Sequence, residues 1–287
     1  MKKVLVILGP TASGKSDLAV RLAKKFKGEI ISADSRQIYR GLDIGTGKIT
    51  KGEMRGVPHH LLDVADPKKQ FTVAQYKKLA EEELRYIVMR NKLPIIVGGT
   101  GFYIDTLAGA IVLPDVAPNK KLRERLAKKS NESLFNILKK KDPKRAKTID
   151  ANNKVKLIRA LEIIESIGKV PRMRVKPNNN FIYIGVKPDD LEQRIEKRVK
   201  KMFRQGLLKE IAKLKKSGIT KKRFGQLGFE YNNPTEESVI RGTKQYAKRQ
   251  MTWFKRNRKI KWFTLSGVER VKPNQYNEIA AHLRERL

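Results

Sequence analysis

The sequence predicts an α/β fold, a parallel β-sheet flanked by helices and interrupted by a helical insertion. Three observations predict it. Short apolar runs alternate with amphipathic helical patterns in the first part of the chain. A glycine-rich turn joins the first run to the first helix. After Leu113-Pro114 the strand signals stop, and they return only at Phe181. Alternation of this kind gives a parallel sheet that binds ligands at the carboxyl ends of its strands.

The first run is Val4-Leu5-Val6-Ile7-Leu8, apolar throughout as a strand buried on both faces must be. It leads into Gly9-Pro10-Thr11-Ala12-Ser13-Gly14-Lys15-Ser16, a complete G-x-x-x-x-G-K-[ST] phosphate-binding loop. Leu18, Ala19, Leu22 and Ala23 form the stripe of the helix that follows. Successive backbone amides and the positive helix end aim at an anion. Lys15 adds charge, and Ser16 offers a hydroxyl to magnesium. Any di- or triphosphate satisfies this physics, ATP included. The core is therefore expected to resemble the P-loop NTPases.

Residues 29–32 predict a second strand that ends near Asp34. Thr72 begins a helix, with Gln75 completing a capping box. Leu79, Leu84, Ile87 and Val88 supply its apolar face. Residues 93–97 form a third strand, followed by Gly98-Gly99-Thr100-Gly101 and a short helix. From about 119 to 168 the chain is helical, very basic and poor in strand signals. A strand returns at 181–186. In the helix after Asp190, Leu191, Ile195, Val199 and Met202 mark the buried stripe, and Arg194 and Arg198 stack four apart on a neighbouring face. A long helix over about 236–256, a strand at 261–265 and a helix at 274–286 complete the chain. The expected organisation is a core over 1–113, a basic insertion over 114–180 and a return to the core over 181–287. The stretch 174–180, with Pro177 and three asparagines, is the best linker candidate.

Charge narrows the function classes. Lys and Arg outnumber Asp and Glu by 65 to 29 in 287 residues, a formal charge of +36. That excess points to a polyanion, with nucleic acid ahead of an anionic membrane. A basic bias of the whole source proteome is the alternative. No run of about twenty apolar residues exists, which argues against a spanning helix. The absence of a signal-peptide pattern and of cysteine fits a cytoplasmic protein and excludes disulfides and thiolate metal sites.

Asp34, just past the second strand, sits where a magnesium ligand, a general base or a helix cap would all make sense. The third strand ends in Val97-Gly98-Gly99-Thr100, without the carboxylate that a nucleotide hydrolase uses to hold magnesium and orient water. Leu61-Leu62-Asp63 is a weak substitute. A motor ATPase is therefore disfavoured.

Several longer motifs resemble the tRNA dimethylallyltransferase family. They are residues 9–16, Asp34-Ser35-Arg36-Gln37-Ile38-Tyr39 with the continuation to Lys48, and Val57-Pro58-His59-His60-Leu61-Leu62-Asp63. Gly98-Gly99-Thr100-Gly101-Phe102-Tyr103, Arg159-Ala160-Leu161-Glu162 and Ala247-Lys248-Arg249-Gln250-Met251-Thr252-Trp253-Phe254 complete the set. They run in the family's order over almost the whole chain. The resemblance implies transfer of a dimethylallyl group from its diphosphate to the exocyclic amine of an adenosine beside the anticodon. The loop residues Gly9, Pro10, Thr11, Ala12, Ser13, Gly14, Lys15 and Ser16 would then hold the leaving pyrophosphate. Ser16 would hold Mg2+. Asp34, Arg198 and Thr11 become the catalytic candidates, with Asp34 as base and Arg198 on the diphosphate.

The same resemblance implies contacts to the tRNA anticodon stem-loop by Asp34, Ser35, Arg36, Gln37, Thr100 and Arg123. It adds the run Val155, Lys156, Leu157, Ile158 and Arg159, and the segment 225–230. A monomer without membrane contact is expected. Three positions depart from the family pattern. Asn153 stands where Asp is usual, Lys156 where Arg is frequent, and Glu230 where a cation is expected. The zinc finger of some eukaryotic relatives is absent.

His59 and His60 invite a metal reading, but adjacent side chains diverge and no third ligand is near, so a structural role is favoured. Trp253 and Trp262 could stack on bases. The helical setting of Trp253 favours packing. Two rivals share parts of this pattern: a small-molecule or nucleotide kinase, which would turn over ATP, and an RNA-binding scaffold without chemistry.

Overall fold

The computed structural model describes residues 3–171, 179–265 and 272–287. The chain divides into two compact units, Met1–Gly109 with Pro177–Leu287, and Ala110–Lys176. Residues 174–178 of the linker candidate lie outside the described residues.

The larger unit opens with β1 (Val4–Leu8), α1 (Lys15–Lys25), β2 (Gly28–Ser32), α2 (Lys51–Met54) and β3 (His59–His60). It continues through α3 (Val73–Met89), β4 (Leu93–Gly98) and α4 (Gly101–Leu107). The smaller unit holds α5 (Lys120–Ala127), α6 (Asn131–Lys141), α7 (Pro143–Ala146) and α8 (Lys154–Ile167). The larger unit resumes with β5 (Phe181–Pro188), α9 (Leu191–Arg204), α10 (Leu207–Lys216) and α11 (Lys221–Leu227). It ends with α12 (Glu236–Phe254), β6 (Lys261–Leu265) and α13 (Pro273–Arg284).

Six parallel strands lie in the order β3-β2-β4-β1-β5-β6. β1 is central and its side chains alternate between two cores. Val4, Val6 and Leu8 join Tyr76, Ala80 and Ile87 of α3 on one face. Leu5 and Ile7 join Leu18 and Leu22 of α1 and Ile279 and Leu283 of α13 on the other. Both faces are therefore covered, which explains why the strand is uniformly apolar. The expected capping box forms, with Thr72 and Gln75 bonded reciprocally. The strand order reverses direction around β1, so its carboxyl end opens onto the crevice where such sheets bind ligands.

In the smaller unit, Leu122, Leu126, Leu134, Leu138, Leu157, Leu161 and Ile164 form a separate core. Beside it, Glu162 is 2 % exposed. It accepts two bonds from Arg123 at 2.7 Å, one from Arg159 and one from the Asn119 amide at 2.6 Å. Burial opposes its charge, but these donors outweigh burial and hold the carboxyl down to about 2. The charge is paired on every side, the condition under which a buried ion is tolerated.

Two residues expected at the tRNA surface make internal contacts. Leu157 is fully buried, so its side chain belongs to the core stripe and not to a tRNA surface. Arg123 directs its Nε and Nη2 to Glu162, so its first role is internal charge pairing. Asn153 caps α8 by accepting the Lys156 amide, a role that Asn and Asp fill equally well, which accounts for the departure there.

Replacing Glu162 with Ala leaves two guanidiniums facing a vacated site. The smaller unit is expected to lose about 3–5 kcal/mol. Amide hydrogen exchange within α8 should accelerate accordingly, while β1 and β4 keep their protection. In the wild-type protein the carboxylate's contribution is present above its ordinary pKa near 4.5 and declines as pH falls toward 2.

Candidate functional site

One pocket at the carboxyl end of β1 collects the candidates. It is lined by Thr11, Lys15, Ser16, Asp34, Arg36, Gln37, Arg198, Glu230, Tyr246 and Gln250, among others. The loop, the 34–37 turn and α9 thus meet at one pocket.

The loop reaches its anion-binding form through Ala12 and Gly14, both at positive φ. Lys15 extends its ammonium to the Pro10 carbonyl at 3.1 Å. Burial, joined by the charge of Arg198, lowers it to about 8. The Thr11 amide donates to Gln250 Oε1 at 2.8 Å, and the Ser13 amide donates to the Pro10 carbonyl. Those two amides are therefore engaged internally. The first-turn amides of α1 remain the natural donors for a phosphate. The Ser13 hydroxyl is fully buried with no partner among the described residues.

Asp34 follows β2. Its Oδ1 accepts the Arg36 amide at 2.8 Å and the Gln37 amide at 3.3 Å. One oxygen thus ties a turn, and residues 35–38 form no helix for Asp34 to cap. Oδ2 has no hydrogen-bond partner among the described residues. Thr100 reinforces the same turn by accepting the Ser35 amide at 3.0 Å. Arg36 donates to the Gln226 carbonyl, which fastens the turn to α11.

Arg198 is held by carbonyls. Its Nη2 donates to Thr46 O at 3.1 Å and Gly47 O at 3.3 Å. Burial works against its charge, while Asp34, Glu230 and Glu53 favour it. Arg194, one turn earlier, is buried and paired with Asp190 at 2.6 Å. The two arginines that look alike in sequence therefore differ. One is committed to a carboxylate, and the other lines the pocket.

Gln250, within the motif over 247–254, has a role that the motif does not display. It is 5 % exposed. Its Nε2 donates to Gly99 O at 2.9 Å while its Oε1 accepts the Thr11 amide. One amide side chain thus bridges the phosphate loop and the turn after β4. A Cβ at residue 99 would collide with that Nε2, so the second glycine of the Gly98-Gly99 pair is required by Gln250. The sequence carried a signal. Gln250 interrupts the buried stripe Val239, Thr243, Ala247, Gln250 and Phe254 of α12. A polar residue on such a stripe must find partners. Trp253 packs over Gly101 and donates to Asp105 at 2.7 Å, in keeping with the packing role.

Glu230 enters the pocket as a second carboxyl beside Asp34. Burial pushes it up to about 7. The histidine pair is divided in use. His60 lies between Glu29 and Glu83 at 2.8 and 2.9 Å, and His59 pairs with the Val57 carbonyl. No group of three or more His, Cys, Asp or Glu side chains could hold a metal among the described residues. No helix among them is long and apolar enough to cross a membrane.

Comparison with known proteins agrees with this geometry. A family model described as IPP transferase matches residues 37–257. The tRNA dimethylallyltransferase of Thermoanaerobacter sp. (strain X514) is 40 % identical, with 98 % of each chain covered. That of Caldanaerobacter subterraneus subsp. tengcongensis is 38 % identical over 98 % of this chain and 99 % of its own. The crystal structure of a full-length tRNA isopentenylpyrophosphate transferase from Bacillus halodurans aligns with a TM-score of 0.72 at 38 % identity, covering 100 % of this chain and 98 % of the other. A eukaryotic dimethylallyltransferase acting on tRNA aligns at 0.77 and 26 % identity, covering 99 % and 78 %. A family model over most of the chain and relatives of equal length at this identity leave one assignment: the chain belongs to the IPP transferase family, that of the tRNA dimethylallyltransferases.

Proposed function

We propose that the pocket transfers the dimethylallyl group of dimethylallyl diphosphate to the exocyclic amine of the adenosine on the 3′ side of the anticodon in tRNA, releasing pyrophosphate. The observation that carries this reading is the convergence of the phosphate loop, Asp34 and Arg198 on one pocket, with no carboxylate at the end of β4.

Cleavage of the allylic C–O bond builds negative charge on the leaving pyrophosphate. Preorganised donors aimed at that charge lower the barrier. Lys15, Arg198 and the first-turn amides of α1 are those donors, with the Thr11 hydroxyl beside them. As the amine attacks, it becomes acidic, and Asp34 accepts its proton through Oδ2. An adenine amine is a weak nucleophile but never needs full deprotonation before attack. The adenosine must leave its stack to reach such a pocket. Ser35, Arg36, Gln37 and Thr100 stand around Asp34 to receive it. The basic helices of the smaller unit, Lys156 among their cations, would supply phosphate contacts that position the tRNA without reading its sequence.

Magnesium suits the donors present. Mg2+ keeps several waters and is commonly held by one or two protein groups together with substrate phosphates. Ser16, exposed at the first turn of α1, offers one such oxygen, and the buried Ser13 hydroxyl of the same loop has no partner among the described residues. The ion would neutralise charge on the diphosphate when bound.

Incubation with radiolabelled dimethylallyl diphosphate, magnesium and unmodified tRNA, without ATP, should place label in the tRNA. No label, with turnover of ATP on a small acceptor, would replace this reading with a kinase. Asp34→Ala should keep tRNA affinity and lower turnover by roughly 10²–10⁴-fold. Turnover near the wild-type rate would remove Asp34 as the base.

Glu230 makes a pH prediction. Below about 7 its carboxyl is neutral; above that, it adds a negative charge beside the diphosphate site. KM for dimethylallyl diphosphate should therefore rise as pH passes through about 7. Glu230→Gln should flatten that rise. An unchanged profile in the variant would assign the limb to another group.

A further inference from the structure

We infer that Glu210, outside the pocket, is a positioning residue for the transfer reaction, because its carboxylate holds the loop that aims Arg198. The inference rests on the function proposed above.

The loop over residues 43–47 presents its two edges to two different elements. On one edge, three consecutive amides converge on a single carboxylate. Asp43 N, Ile44 N and Gly45 N donate to Glu210 at 3.0, 2.7 and 3.1 Å. Tyr231 Oη adds a fourth bond at 2.9 Å. Tyr231 is 1 % exposed, so this partner is fixed in the core. Charge-assisted bonds of this kind are roughly twice as strong as neutral ones. On the other edge, the next two carbonyls, Thr46 O and Gly47 O, receive Arg198 Nη2 and also Gln37 Nε2.

The two anchors come from consecutive helices. Arg198 lies on α9 and Glu210 on α10, joined through Gly206 at positive φ. The hairpin therefore grips the loop twice, once by a carboxylate on amides and once by a guanidinium on carbonyls. Removing the first grip frees the loop that defines the second. The fit is close. Gly47 sits at φ +55, and a Cβ there would overlap the Arg198 guanidinium. A small shift of the loop thus displaces the cation.

The arrangement has an electrostatic use. A carboxylate placed directly on Arg198 would fix it more strongly but would cancel the charge a diphosphate needs. Carbonyls fix the guanidinium and leave its charge intact. The carboxylate that stabilises the assembly stands one layer back, on the amides.

Transfer kinetics and pyrophosphate binding by calorimetry test this with wild type, Glu210→Ala, Arg198→Ala and the double variant. Glu210→Ala should lower kcat by about tenfold or more and weaken pyrophosphate, with KM for tRNA changed less than about threefold. The double variant should be no worse than Arg198→Ala by more than about threefold, because one effect acts through the other. Glu210→Gln keeps the size and one acceptor oxygen, and should lose less kcat at a melting temperature near wild type. It carries the same test if the alanine variant folds poorly. Losses that multiply in the double variant, or a wild-type kcat in both Glu210 variants, would overturn the positioning role. If the wild-type protein itself transfers no label to tRNA, the proposed function falls first and this inference with it.

Discussion

The site depends on cations held by neutral oxygens. Lys15 rests on the Pro10 carbonyl and Arg198 on the Thr46 and Gly47 carbonyls. Such contacts fix geometry and leave charge uncancelled. The smaller unit shows the opposite solution, where Glu162 neutralises Arg123 and Arg159 together. That pairing stabilises a core and leaves little field for a ligand. A buried cation without a carboxylate is costly, and Lys15 records the cost in its lowered pKa. The diphosphate proposed for this site would recover that cost. Stability and function thus pull apart at the pocket, and the surrounding fold carries the strain.

The fold carries it by making backbone groups do the holding. β1 delivers the phosphate loop, α12 returns Gln250 to its Thr11 amide, and the turn after β4 receives the other end of the same side chain. The Asp34 turn is closed by its own Oδ1 and by Thr100. The neutral Gln250 and Thr100 side chains, together with the Oδ1 of Asp34 itself, thus fix the backbone around these candidates. Preorganisation of this kind is what electrostatic catalysis needs, since no reorganisation is left for the moment of reaction.

What was legible in the sequence follows from which groups do the work. The sheet was legible because β1, β4 and β5 are apolar runs buried on both faces. The phosphate loop is a motif of side chains at fixed spacing, and Asp34 stands at a strand end where chemistry is expected. Arg198 needed the family resemblance, because Arg194 has the same setting in sequence and only the structure separates them. Gln250 and Glu210 work through amides and carbonyls, which every residue possesses and no sequence displays. The sequence reading assigns neither α10, which carries Glu210, nor α11; both are short helices of ten and seven residues. Leu157 lies four and seven residues before Leu161 and Ile164 and shares their core, a periodicity that resemblance at the level of a motif does not resolve.

The end of β4 decides between the two readings that share this fold. A nucleotide hydrolase places a carboxylate there to help hold magnesium and orient water. Here the strand ends at Gly98, and the space beside Gly99 is filled by the Gln250 amide. A carboxamide can bridge two backbone groups but cannot supply negative charge to a metal. Asp34 and Glu230 are the pocket's carboxyls, and burial shifts Glu230 toward its neutral form. A site with a carboxyl group and cations held by neutral oxygens suits the proposed reaction, which takes one proton from an amine and releases a diphosphate. Alkyl transfer to an amine makes both demands on the same pocket, whereas phosphoryl transfer to water takes its proton from water and calls for the carboxylate that the end of β4 lacks.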